Sequence, residues 1–89
     1  MLPPELKSFA DRAGRMKQWP TRWTLQRIAA AYHATRFEIG VEYNERQVNA
    51  ILQDWHTFKD WARLRRLLVV WGYLERDPDG SRYWRVIDS

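Results

Sequence analysis

Apolar residues recur at helical spacing in three stretches of this chain and alternate with polar ones near its C-terminal end. Between Thr21 and about Arg36, the residues Leu25, Ile28, Ala29 and Tyr32 fall on one side when advanced at about 100° per residue, which predicts a first substantial helix. Trp23, Ala30 and Ala34 make a second, narrower apolar stripe beside Arg27. A helix lying on a surface needs only one such stripe, so either the N-terminal segment or a second subunit is expected to cover the other. Val48, Ile51, Leu52 and Trp55 mark a second helix, with Asn44 as N-cap and Gln47 three residues later to complete a capping box. Trp61, Leu64, Leu67, Leu68 and Trp71 predict a third helix over Phe58 to Trp71, opened by Thr57 with Asp60 at the matching box position. Lys59, Arg63 and Arg66 fall together on its opposite side.

The shorter elements complete the order. Pro3-Pro4-Glu5 opens a short N-terminal helix with Leu6, Phe9, Ala10 and Ala13 on one face and Gly14 as its stop. Arg15 to Pro20 has no period and is expected as a basic connector, so that residues 1–20 precede the main body at 21–89 within one domain. Val41-Glu42-Tyr43 is a short extended piece. Tyr73 to Arg76 and Arg82 to Val86 flank the turn signal Asp77-Pro78-Asp79-Gly80 and predict a hairpin. A brief connection between the second and third helices forces a steep crossing, which is helix-turn-helix geometry. The fold expected is α+β, a winged helix-turn-helix with a three-helix core, a C-terminal β-hairpin wing and a short N-terminal helix.

Composition narrows the function. Eighty-nine residues suit one domain, and 45% apolar content with six Trp is far too rich for a disordered tail. With no Cys, the chain has no disulfide framework, thiolate metal site or cysteine nucleophile, and a reducing cytoplasm is the expected location. The start MLPPELKSF lacks the pattern of a secretory signal, and the longest apolar stretch, Leu67 to Trp71, is far short of a membrane span. A net charge of +4 favours a polyanionic partner. Up to Gly40 seven bases face three acids, whereas from Val41 onward eight face eight.

In many helix-turn-helix proteins the second helix of the motif enters the major groove, while Arg and Lys hold phosphates. On that pattern Thr57, Lys59, Arg63 and Arg66 face double-stranded DNA, with Arg63 the candidate base reader because a guanidinium fits guanine bidentately. Arg82 and Arg85 are candidate wing contacts, although Asp77 and Asp79 place negative charge at the tip. Arg15 and Lys17, in the connector with Arg12 and Arg22, are candidate phosphate contacts of a flexible arm. Each set also reads as an ordinary solvated face. The stripe of Trp23, Ala30 and Ala34 is a candidate homodimer interface, or is covered by Leu6 and Phe9. Trp55, Trp61 and Trp71 stand at core positions. His33 is expected at the surface and His56 in the inter-helix turn, with no metal or triad motif around either, so neither an enzyme nor a cofactor is expected.

Four runs carry a resemblance: Phe37 to Asn49, Leu64 to Val69, Gly72 to Arg76 and Asp79 to Arg85. Together they resemble a family of small bacterial domains of unknown function, whose members occur alone or appended to transcriptional regulators. The resemblance runs from about Leu6 to Arg85 and includes Gly14 to Pro20. It implies a winged-helix fold and a regulatory association, and lends no catalytic residue. The apolar run Val69-Val70-Trp71 departs from the family pattern, and Val70 interrupts the Lys59, Arg63 and Arg66 side. A protein-interaction or dimerisation module of the same fold, docking on a larger regulator, is the competing expectation.

Overall fold

The computed structural model describes residues 2–55 and 60–86. A 3-10 helix, Pro4–Phe9, leads into α1 (Trp23–Ala34), β1 (Glu42–Tyr43), α2 (Glu45–Trp55), α3 (Trp61–Val70), β2 (Leu74–Arg76) and β3 (Tyr83–Arg85). The strands form one antiparallel sheet in the order β1-β3-β2, with Trp84 opposite both Glu42 and Glu75, and Tyr83 opposite Tyr43 and Arg76.

Local chemistry accounts for the start of α2. The side chain of Asn44 accepts from the Gln47 N–H, and the side chain of Gln47 accepts from the Asn44 N–H, both at 2.8 Å, so the box closes reciprocally as expected. At α3 the expectation is corrected. Asp60, expected inside the helix, has φ −117° and ψ 45°, outside the helical region, and α3 runs from Trp61. An Asp competes with helical hydrogen bonding through its short polar side chain, which suits a boundary better than an interior. The expected roles of His56, Thr57, Phe58 and Lys59 lie outside the described residues.

The main core gathers one face of every α-helix and the inner face of the sheet: Ala30, Ala34, Phe37, Val48, Leu52, Leu64, Leu68, Leu74 and Tyr83 are all buried together. Trp61 and Trp71 pack against its edge. Phe37 meets Tyr43 edge to face at 5.3 Å, closing the core under β1.

A second cluster of Leu6, Met16, Ala29 and Tyr32 lies on the other side of α1. The N-terminal segment that builds it is a pinned turn and not a flexible arm. Ala10 bridges to Met16, the Met16 N–H donates to the Trp55 carbonyl at 2.9 Å, and the Lys17 N–H donates to the Phe9 carbonyl at 2.7 Å. The Asp11 carboxylate accepts from the backbone N–H groups of Ala13 and Arg15 and from Arg15 Nε, which holds its carboxyl below the usual range. Gly14 takes φ +85°, and its carbonyl accepts from the Tyr32 hydroxyl at 2.6 Å. A Cβ there would stand 2.8 Å from that hydroxyl, so the close approach of turn to helix requires glycine.

Helix α1 is therefore covered on two sides, which corrects two expectations. Ala30 and Ala34 are buried in the main core and belong to no subunit interface, while Trp23 of the same stripe is 66% exposed. The stripe splits at the first turn of α1, where Trp23 stands. His33, expected at the surface, is fully buried between the two clusters. Its Nδ1–H donates to the Ala29 carbonyl at 2.8 Å, and its ring lies edge-on to Tyr32 and tilted against Trp19.

Burial holds the His33 imidazole below its ordinary pKa, and the nearby Arg36 cation acts in the same direction, against hydrogen bonds to the backbone of Ala29 and Trp55. The neutral form is thus the folded form. Its contribution is complete above the unfolded value of about 6.5 and is lost as pH falls below it, because the unfolded chain then takes up the proton first. Between pH 7.5 and 5.5 the domain is expected to lose about 1 kcal/mol of stability. Urea unfolding of the protein and of His33→Gln at both pH values checks this, since the variant should lack most of that pH dependence; equal slopes contradict it.

Candidate nucleic-acid interface

Helix α3 turns Leu64 and Leu68 inward, which leaves Ala62, Arg63, Arg66 and Val70 exposed on the far side. Arg65 lies between the two faces, half-buried, and donates to the side chain of Asn49 on α2. The strand pleat adds a third cation. Leu74 and Arg76 point to one face of β2 and Glu75 to the other, so Arg76 shares the side of its cross-strand partner Tyr83. A recess of about 340 Å³ results between the end of α3 and the hairpin, lined by Arg65, Arg66, Val70, Arg76, Tyr83 and Glu45. Three guanidinium groups meet one carboxylate there. The Tyr83 hydroxyl donates to Glu45 at 3.4 Å, at the α2 side of the recess.

The outer face of the sheet has the opposite character. Trp84 lies between Glu42 and Glu75 in register, and its Nε1–H donates to Glu75 at 3.0 Å. Arg82 is held by Asp77 at 3.0 Å and by Glu42 at 3.2 Å, and these acids raise its pKa. The Ser81 N–H donates to the Asp79 carboxylate, holding it below its usual pKa. The tip therefore carries anionic groups and a neutralised arginine, which a phosphate would meet unfavourably.

The sequence-predicted residues accordingly separate. Arg66 lies in the recess, and Arg63 sits on the same helix near Asp60 and Trp19. Arg82 is paired within the sheet, and Arg85 is half-buried and donates to the Phe37 carbonyl at 3.3 Å, so neither stands as a free wing contact. Arg15 is bound to Asp11 in the pinned turn at 3.1 Å, and Lys17 is exposed beside it. Thr57 and Lys59 lie outside the described residues. Arg65 and Arg76 were not among the expected contacts; the alternation Leu74-Glu75-Arg76 is the signal that places Arg76 on the helix side. Val70, the apolar departure on the basic face, is 69% exposed and forms one wall of the recess. Among the described residues no cluster of His, Asp and Glu is arranged to hold a metal ion, and no helix is long and apolar enough to cross a membrane.

The model of a family described as "Uncharacterized protein conserved in bacteria (DUF2087)" matches residues 15–85, from the pinned turn to the last strand. No curated protein and no solved structure matches the chain.

Proposed function

This chain belongs to the DUF2087 family of uncharacterised bacterial proteins, and we propose that it is a double-stranded DNA-binding domain of the transcriptional-regulator type. The observation that carries this reading is the convergence of Arg65, Arg66 and Arg76 on one recess beside the exposed face of α3. Planar guanidinium groups suit phosphate oxygens, and those on a helix and at the end of a strand are held more firmly than those on a loop. The element order and the β1-β3-β2 sheet are compatible with a winged helix-turn-helix, in which α3 enters the major groove and the hairpin flanks it. In this arrangement Arg63, on the first exposed turn of α3, meets base edges, and the recess takes the sugar-phosphate backbone. The acidic sheet face with Trp84 points the domain away from DNA on that side.

Salt dependence tests the reading. If about four phosphates are neutralised, affinity for a random-sequence duplex should fall by about 100-fold between 50 and 200 mM salt. Fluorescence anisotropy measures it. Absence of binding at the lower salt contradicts the proposal and favours a protein-docking role for the same fold.

A further inference from the structure

A second groove lies on the other side of α3, between α1 and the junction of α3 with β2. It measures about 490 Å³ and is lined by Arg27, Ala31, Trp71, Tyr73, Arg85 and Val86. That size falls within the range of small-molecule sites. Its composition is specific in one respect: two guanidinium groups and no carboxylate line it among the described residues. The guanidinium of Arg27 lies 5.0 Å from the centre of the Trp71 ring and 6.0 Å from that of Tyr73. The two rings hold the cation over the groove by cation–π attraction, and among the described residues no acceptor takes its N–H donors. Arg85 is anchored from beneath by its hydrogen bond to the Phe37 carbonyl. Ala31 keeps the α1 side of the groove open because it has no side chain beyond Cβ.

We propose that this groove binds a small aromatic carboxylate. The carboxylate pairs with Arg27, bidentately as a planar fork allows, with Arg85 adding positive potential. The ring of the ligand packs on Ala31, Val86 and the edges of Trp71 and Tyr73, which supply its apolar contact. Both features are needed together: an anion alone gains no apolar contact, and an uncharged ring leaves the guanidinium groups unmatched. The site is separate from the arginine recess, so its occupancy does not depend on the DNA reading.

Titration of the full chain with sodium phenylacetate at constant ionic strength tests this, followed by amide shifts in ¹H–¹⁵N NMR spectra. Saturable shifts at Trp71, Gly72 and Tyr73 with a dissociation constant of about 1 mM or below are expected. Phenylacetamide, of the same shape without the charge, should bind at least tenfold more weakly. Arg27→Gln changes an exposed side chain, and Ala31→Leu fills the groove with a residue that favours helix; each should weaken phenylacetate at least tenfold, with amide shifts unchanged away from the groove showing that the fold persists. Equal binding of acid and amide, unchanged affinity in both variants, or no saturable shift overturns the proposal.

Discussion

Replacing Arg66 and Arg76 together with Ala is expected to weaken binding to duplex DNA by about 100-fold at low salt, since each removes a charge-assisted contact. The slope of log affinity against log salt should become shallower by about two, one unit per lost phosphate contact. Both side chains are exposed, so the fold should persist, and circular dichroism of the variant checks that it does. The informative comparison is Arg82→Ala. It removes one charge from the hairpin, as Arg76→Ala alone does, yet Arg82 is already matched by Asp77 and Glu42. Its effect on affinity should stay within about twofold. Equal losses for Arg76→Ala alone and for Arg82→Ala would reduce the interaction to net charge and contradict a built site.

The largest stability effect is expected at Leu68. This residue is fully buried where α3 meets the rest of the main core, among Leu52, Leu64 and Leu74. Truncation to Ala removes methyl groups and leaves a cavity that packed helices cannot fully close, at a cost of about 3 kcal/mol. A domain of this length holds roughly 5–10 kcal/mol in all, so the variant should unfold at a much lower urea concentration. Val70→Ala, two positions along on the exposed face, should cost less than about 0.5 kcal/mol. Tryptophan fluorescence during urea unfolding reads both. Similar midpoints for the two variants would contradict the assignment of α3's inner and outer faces.

The same helix shows where sequence is informative and where it is not. The inward positions of Leu64 and Leu68 and the exposure of Arg63 and Arg66 follow from a single periodicity, a property of one element alone. The Asn44 and Gln47 box is likewise local, and it forms as the spacing requires. Arg65 escapes this reasoning because its place depends on Asn49 of the neighbouring helix. Arg76 joins the site only through strand register. His33 lies between the two apolar stripes of α1, and its burial follows once both stripes are covered from within the chain, one by the core and one by the N-terminal turn. The hairpin arginines mislead for a related reason: Arg82 faces Glu42, forty residues away in sequence, and no local pattern announces that pairing.

The central claim is that the exposed face of α3 and Arg76, at the turn end of β2, hold the DNA. Mapping ¹H–¹⁵N shifts of the domain upon addition of a short duplex tests it most directly. The account predicts the largest shifts at Arg63, Arg66, Val70 and Arg76, with little change at Gly40, Glu75 and Trp84 on the acidic sheet face. Shifts concentrated on that sheet face, or on the pinned turn around Arg15 and Lys17 with α3 unaffected, would contradict it.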